Sequence, residues 1–377
     1  MSWSVVVLFT FIVGATYIAP SATFGQKSIL ERWHPTRVPA NAVFIGDQAC
    51  AECHQSKVAS QLKTPMGMAM EPVAASQILI AHPKMTFSKG KYSYEITRKD
   101  NESFFTVTDG KATITAPIVY AFGQGKAGQT YILQHDGAFY ESLVSFYNGI
   151  KGLDLTVGAP RSVPANLNAA LGRRLHPRDA ANCFACHSTG GVKGGQLDLK
   201  TMTHGVRCEG CHGPGGNHIA ASKAGEPSAK LIFNPARLSG DELSQDFCAS
   251  CHRGNEDVSL LRSQEINNVR FQPYRIFHSK CYSDDKRISC SACHDVHEEL
   301  KVDAAYYDAK CMACHVPKGQ AVPAITKPDD KQMFAGCKVE TKNCASCHMP
   351  KLEPPGAHFK FTDHYIRVTK PNEAYQN

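Results

Sequence analysis

The sequence has only 2 tryptophans in 377 residues, and it has no long run of lysine and arginine. A chain without a basic run lacks the electrostatic footprint of a nucleic-acid-binding protein. Beyond its N-terminus it has no uninterrupted apolar stretch of the length that a bilayer span needs. Its 42% hydrophobic and 20% charged residues are typical of a globular protein. The length predicts two or three domains.

The one apolar run lies at the N-terminus. Residues 5–19 are mostly apolar and carry no charge, and small residues follow. This pattern predicts a signal peptide over residues 1–25, with cleavage after Ala22 or Gly25, and therefore a periplasmic or extracellular protein without a membrane span in the mature chain. Because residues 1–4 contain no lysine or arginine, a misassigned start and an uncleaved anchor are the alternatives.

The sequence is rich in cysteine and histidine, with 16 and 17 residues respectively. Fourteen of the cysteines form seven C-x-x-C-H pentads, numbered 1 to 7 in chain order: residues 50–54, 183–187, 208–212, 248–252, 290–294, 311–315 and 344–348. Two thiols at this spacing add to the two vinyl groups of one haem, and the adjacent histidine binds its iron. A zinc site or a disulfide would not require histidine directly after the second cysteine. The pentads predict seven covalently bound haem c groups.

Each pentad supplies two attachment residues and one proximal ligand. The predicted attachment residues are Cys50, Cys53, Cys183, Cys186, Cys208, Cys211, Cys248, Cys251, Cys290, Cys293, Cys311, Cys314, Cys344 and Cys347. The predicted proximal ligands are His54, His187, His212, His252, His294, His315 and His348. Seven ferric haems with ionised propionates add about −7 to the protein charge. Since the chain without haems carries a net charge of +7, the protein with seven haems is close to neutral. The excess of lysine and arginine in the sequence therefore does not indicate an anionic partner.

The pentads are unevenly spaced. Six of them lie within residues 183–348, which leaves too little chain for a separate side-chain core around each haem. We therefore expect a multihaem cytochrome c of mostly short α-helices and irregular structure packed around closely spaced haems. Residues 26–85 form the predicted first haem segment, and residues 161–377 form the predicted six-haem domain.

The long segment between pentads 1 and 2 has a different residue pattern. Apolar residues alternate at Tyr92, Tyr94 and Ile96, and further alternating runs follow, separated by Asp-Asn and Asp-Gly pairs. Alternation of this kind, interrupted by turn residues, predicts β-hairpins. Residues 86–160 are therefore predicted to be a β-rich module inserted between haem 1 and haem 2.

Pentad 3 carries the most specific resemblance. Residues 208–218 read C-E-G-C-H-G-P-G-G-N-H, which resembles the C-E-x-C-H-G-P-G-x-x-H signature of the cytochrome c-554-like multihaem family. Residues 46–54, 289–297, 347–351 and 361–364 are similar to other blocks of the family, in the order found in bacterial cytochromes fused to tetratricopeptide repeats. The resemblance implies an electron carrier, and it also implies that one haem in such proteins is five-coordinate.

Ten histidines lie outside the pentads, and seven irons need at most seven distal ligands. The family-like blocks favour His218 and His297 as distal ligands, followed by His358, His364, His82 and His176. For His34, His135, His204 and His278, a hydrogen bond to a propionate or a surface position competes with ligation. Similar proteins have a Thr-x-His segment where this chain has Thr64-Pro65-Met66, so Met66 is a candidate thioether ligand. The alternatives are that Met66 packs against a porphyrin and that His82 binds this iron.

Two cysteines remain outside the pentads, Cys281 and Cys337. In an exported protein the first expectation is a disulfide between them. Ligation of an iron by one of the thiolates is the alternative.

The sequence shows redox centres and no other catalytic constellation. It therefore predicts an exported seven-haem cytochrome that carries electrons in respiratory or extracellular electron transfer, with other cytochromes or membrane quinol-linked complexes as partners. One alternative is an oxidoreductase in which a haem with an open coordination position acts on a small nitrogen or sulfur compound. Another is a homo-oligomer or a subunit of an extracellular haem filament.

Overall fold

The computed structural model describes residue 41 and residues 43–261, 265–282, 288–315, 342–370 and 373–376. The predicted signal peptide, His34 and the Cys337 half of the predicted disulfide lie outside these residues. All seven pentads lie within them.

The largest element is an antiparallel sheet of ten strands. Its strands are β1 (Met70–Glu71), β2 (Lys84–Lys89), β3 (Tyr92–Lys99), β4 (Glu102–Thr108), β5 (Thr113–Phe122), β6 (Gly128–His135), β7 (Ala138–Ser142), β8 (Val144–Tyr147), β9 (Gly152–Leu155) and β10 (Gly172–Arg174). The main path runs β10-β7-β6-β5-β4-β3-β2, while β1 pairs with β5 and β8 pairs with both β6 and β9. Every strand lies between pentads 1 and 2, which confirms the predicted β-rich insert. The sheet extends beyond residues 86–160 at both ends, and the domain boundaries stay a prediction.

The alternating pattern places the apolar residues of the sheet in one core. Tyr92, Tyr94 and Ile96 of β3 are buried, as are Phe105 and Val107 of β4.

The turn between β6 and β7 lies at Asp136 and Gly137, whose φ angles are +47° and +70°. Two successive positive φ angles give the turn that matches the twist of a hairpin, and aspartate followed by glycine adopts them readily. The Asp-Gly signal in the sequence therefore marks a hairpin turn.

The helices are short. They are α1 (Asp47–Gln61), α2 (Gln77–Ala81), α3 (Leu167–Leu171), α4 (Pro177–His187), α5 (Cys208–His212), α6 (Gly216–Lys223), α7 (Ala249–His252), α8 (Asn255–Leu261), α9 (Gln272–Phe277), α10 (Cys290–Cys293), α11 (Ala304–Met312) and α12 (Cys344–His348). A π-helical stretch covers Glu242–Cys248, and 3₁₀ turns cover Val73–Ala75, Pro235–Arg237, Glu265–Arg270 and Lys280–Tyr282. In the described residues there are also three two-stranded sheets: β11 (Ser188–Thr189) with β14 (Thr203–His204), β12 (Val192–Lys193) with β13 (Gln196–Leu197), and β15 (Lys351–Leu352) with β16 (Phe361–Thr362).

Each pentad lies in a helix or at its end, and short helices and irregular segments dominate the described residues after residue 174. This agrees with the expected fold of short pieces around cofactors. Among the described residues, none of the helices has the length and apolar character that crossing a membrane requires.

Candidate haem-binding sites

Helical turns orient the ligands of each pentad. In α5, Cys208 and Cys211 lie three positions apart and therefore on one side of the helix. The helix ends directly after His212, because Gly213 has a φ of +72° that glycine adopts without strain. The two thiols and the imidazole are thus presented together, as attachment of one haem requires.

Thiols from different pentads lie beside one another. The thiols close enough to influence each other's pKa are Cys50 and Cys208, Cys186 and Cys251, Cys248 and Cys290, and Cys311 and Cys344. In addition, α10 of pentad 5 packs against α11, which carries the start of pentad 6. The thiol of Cys211 in pentad 3 lies within electrostatic range of Cys251 in pentad 4. The seven attachment sites therefore form one continuous set of neighbours.

Two pairs of histidines face each other across a gap of the width that one iron needs. The ring centroids of His212 and His297 are 6.1 Å apart with their planes inclined by 12°, and those of His294 and His364 are 6.3 Å apart with an inclination of 40°. Imidazole–metal bonds are about 2 Å long, so a centroid separation of this size would admit one metal ion if both rings directed a nitrogen at it. His297 and His364 were predicted as distal ligands. The structure brings them to the proximal ligands of pentads 3 and 5.

Backbone carbonyls fix the orientation and the protonation of several imidazoles. The Nδ1 of His187, His212 and His348 donates to the carbonyl oxygens of Ala69, Phe233 and Arg367, each at 2.9 Å. The Nδ1 of His218 and His364 does the same to Ser228 and Thr362, each at 3.0 Å. A carbonyl only accepts, so Nδ1 carries the proton and Nε2 keeps a free lone pair for a metal.

Burial favours the neutral, metal-binding form of His187, His294 and His364. It lowers the pKa of His187, and it lowers the pKa of His294, because a charged ring loses hydration there. Burial and the neighbouring His294 lower the pKa of His364 to about 4. The donor set, its spacing and its protonation thus fit haem iron at pentads 3 and 5.

Glu209, inside pentad 3, joins this pentad to the start of pentad 1. Its side chain is 5% exposed, and its carboxylate accepts hydrogen bonds from the backbone N–H groups of Ile45 at 3.0 Å, Gly46 at 2.8 Å and Gly215 at 2.8 Å. Gly46 directly precedes α1, which carries pentad 1. Sequence reasoning identified Glu209 only as a letter of the signature, because its partners lie 163 and 164 positions away in the chain.

A buried ion pair holds the segment that carries His364. The guanidinium of Arg275 donates to both carboxylate oxygens of Asp363, at 2.8 and 3.0 Å, and both side chains are fully buried. Arg367 donates to the same carboxylate at 2.9 Å. Bidentate pairs of this kind fix geometry as well as charge. The residue next to Asp363 is His364, so its position is set from α9. The sequence did not signal this pair.

Other predicted distal ligands lie elsewhere. The Nε2 of His358 is 2.6 Å from Oδ2 of Asp154 in β9. His82 follows α2 with its ring 5.0 Å from that of Phe146, and His176 is exposed at the N-terminus of α4. Ligation by these three histidines stays a prediction.

Met66 lies half-buried in the turn after α1. Its carbonyl oxygen accepts from the backbone N–H of Val206 at 2.9 Å, just before pentad 3. The carbonyl of Ala69 accepts from His187 of pentad 2. This turn is therefore built against pentads 2 and 3, and iron ligation by Met66 stays a prediction.

The remaining histidines have other neighbours. His135 lies 3.4 Å from Asp136, the ring of His204 lies 5.9 Å from that of Tyr120, and the ring of His278 lies 4.7 Å from that of Tyr274. Cys281 is half-buried, and burial raises the pKa of its thiol.

The chain is similar to known multihaem proteins over parts of its length. Residues 161–213, which contain pentads 2 and 3, match the family described as cytochrome c554 and c-prime. Multiheme cytochrome MtrA of Shewanella baltica is 25% identical over 226 residues, which cover 57% of each chain. Cytochrome c-554 of Nitrosomonas europaea is 38% identical over 84 residues, which cover 20% of this chain and 36% of that protein.

Two further proteins are also similar to the chain. Dissimilatory sulfite reductase MccA of Wolinella succinogenes is 26% identical over 183 residues, which cover 41% of this chain and 23% of the enzyme. The crystal structure of outer cell wall cytochrome OcwA superposes with a TM-score of 0.46 at 15% identity, over 86% of this chain and 80% of that one. The chain thus spans little more than half the length of MtrA and a smaller part of the other two curated relatives.

Proposed function

We propose that this chain, which is a multihaem c-type cytochrome, carries electrons one at a time between redox partners along seven bound haems. The observation that carries the proposal is the continuity of the attachment sites. Neighbouring thiols join pentad 1 to 3, 3 to 4, 2 to 4, 4 to 5 and 6 to 7, and the packing of α10 on α11 joins 5 to 6. No pentad lies apart from the others, as a route for electrons through the whole chain requires.

The protein supplies ligands, orientation and burial. When bound, a c-type haem supplies an iron that cycles between the ferric and ferrous states. The carbonyl of Phe233 holds the imidazole of His212, and the carbonyl of Thr362 holds that of His364, so each presents Nε2 in a fixed direction. Axial ligand identity, hydrogen bonds to the ligands and burial are the means by which a protein sets haem potentials.

The proposed setting follows from the predicted export signal. An exported chain would exchange electrons with other cytochromes or with membrane quinol-linked complexes, in the periplasm or outside the cell. The relative MtrA is named a multiheme cytochrome, which supports partners of this type.

A second candidate function is catalysis at one haem with an open coordination position. One relative is named a dissimilatory sulfite reductase, which favours a small sulfur compound as the substrate class for this candidate. If the neighbouring imidazoles at pentads 3 and 5 both bind iron, such a haem would belong to another pentad.

Electron paramagnetic resonance of the fully oxidised holoprotein separates the two candidates. The electron-carrier proposal predicts ferric signals that do not change when sulfite or nitrite is added, since no haem then binds a substrate. A high-spin signal equivalent to one haem per chain, which changes when sulfite or nitrite is added, would support the enzyme and contradict the proposal.

A further inference from the structure

A cavity of about 480 Å³ lies between the sheet and pentad 4. One wall of the cavity is formed by residues 154–159 and 161, at the end of β9 and directly after it. The other walls are formed by Arg253, by residues 267, 270 and 271, and by residues 355 and 356. Gly158 and Arg161 are exposed, so the cavity opens to solvent on their side. None of the predicted axial ligands lines it.

Three arginines line this cavity: Arg161, Arg253 and Arg270. The guanidinium groups of Arg253 and Arg270 both lie over the ring of Phe271, at 5.1 and 5.7 Å from its centroid. Stacking on one aromatic ring holds the two cations near each other in a fixed orientation. Phe271 therefore serves as a platform for two positive charges.

Gly356 leaves room for the guanidinium of the third arginine, Arg161. Gly356 has a φ of +75°, and a Cβ at this position would lie 2.5 Å from Nη2 of Arg161. An alanine here would strain the backbone and displace the guanidinium from the cavity wall. The cavity is thus shaped around the Arg161 head group.

Among the described residues, no carboxylate forms an ion pair with the arginines of the cavity. The one carboxylate in its wall, Asp154, lies 2.6 Å from Nε2 of His358. Burial lowers the pKa of Arg270, and the neighbouring Arg253 lowers it further, as expected for a cation that lacks a counter-charge.

We propose that this cavity is a binding site for an anionic oxygen group, a carboxylate or an inorganic oxyanion, which lies between Arg253 and Arg270. Guanidinium groups match such anions with pairs of parallel hydrogen bonds, and anion binding would offset the repulsion between the two cations. The group has two sources. Arg253 directly follows His252 of pentad 4, so a propionate of this chain's own haem is one source, and a small oxyanion from solution is the other.

The test uses the holoprotein and two arginine variants. Arg270→Gln removes a cavity cation, while Arg237→Gln removes an exposed arginine in a 3₁₀ turn outside the cavity and serves as the matched control. Isothermal titration with inorganic phosphate at constant ionic strength measures binding from solution. Redox-difference infrared spectra measure the carboxylate bands, and the haem midpoint potentials are measured in parallel. Together these measurements show whether a haem propionate lies in the cavity.

Each outcome decides the proposal. If the anion comes from solution, phosphate binds the wild type, and binding is about tenfold weaker in Arg270→Gln and unchanged in Arg237→Gln. If a propionate occupies the cavity, phosphate does not bind, and Arg270→Gln alone shifts a carboxylate band and lowers one haem potential. Absence of phosphate binding together with unchanged carboxylate bands would overturn the proposal. The phosphate result does not depend on electron transfer through the chain, so the site and the proposed function fail separately.

Discussion

The imidazole rings of His212 and His297 face each other at a centroid distance of 6.1 Å with nearly parallel planes. Eighty-five positions separate them in sequence, yet the fold brings the ring of the predicted distal ligand to that of the predicted proximal ligand. The hydrogen bond from His212 to the carbonyl of Phe233 fixes the orientation of this ring. The chain itself therefore orients His212 toward its neighbour. The separation is compatible with two axial ligands of one iron, provided that one nitrogen of each ring points at it.

His297→Ala is expected to convert one haem from low spin to high spin, because the iron bound by His212 loses its second imidazole. The measurement is electron paramagnetic resonance of the oxidised holoprotein, with haem content determined in parallel. His135→Ala is the control, since His135 lies beside Asp136 in the sheet region. An unchanged low-spin spectrum in His297→Ala would show that another side chain binds this iron.

Glu209→Ala is expected to destabilise the holoprotein by about 3 kcal/mol or more, because it leaves backbone donors near pentads 1 and 3 without their charged acceptor. Guanidinium unfolding followed by circular dichroism measures the loss. Glu52→Ala is the matched control. Glu52 lies inside pentad 1, but it is exposed and pairs with Lys223 at the surface at 2.9 Å, so its removal is expected to cost less than about 1 kcal/mol. Equal losses in the two variants would contradict the linking role of Glu209.

Asp363→Asn is expected to cost about 3–5 kcal/mol, because the buried Arg275 loses its counter-charge. The change is also expected to loosen the neighbouring His364, so a fraction of one haem becomes high spin. Glu95→Gln removes an exposed ion pair with Lys84 of 2.8 Å and is expected to cost less than about 1 kcal/mol. Thermal unfolding and electron paramagnetic resonance check the two effects. A stable Asp363→Asn protein with an unchanged spectrum would show that the pair does not position His364.

Glu71→Gln is expected to remove a pH dependence of stability. Burial raises the pKa of Glu71 above its ordinary value of 4.5, and hydrogen bonds from Gln129 and Ser76 offset this only in part. Between 4.5 and the raised pKa, the folded protein holds more protons than the unfolded chain, so stability falls as pH increases through this interval. The fall should be smaller in Glu71→Gln and unchanged in Glu95→Gln, measured by unfolding between pH 4 and 8. Parallel pH profiles for Glu71→Gln and the wild type would contradict this.

The pentads are visible in the sequence itself. Local patterns also predicted the β-rich insert and the hairpin turns, because each depends on residues that are close together in the chain. The facing of His212 with His297 and of His294 with His364 was not predictable, since it depends on how distant segments pack. The same holds for Glu209, whose backbone donors include residues more than 160 positions away. A carboxylate that satisfies backbone donors leaves no periodic signal. Buried polar contacts between segments therefore required the structure.

The central claim, that seven haems form one connected set for electron transfer, is tested most directly by stepwise reduction of the purified holoprotein. Spectroelectrochemical titration counts electrons per chain, and flash reduction of a single equivalent follows their redistribution. The account predicts seven electrons per chain, with a single added electron redistributing among all the haems within one molecule. A count of six or fewer, or a haem that exchanges no electrons with the others, would contradict it.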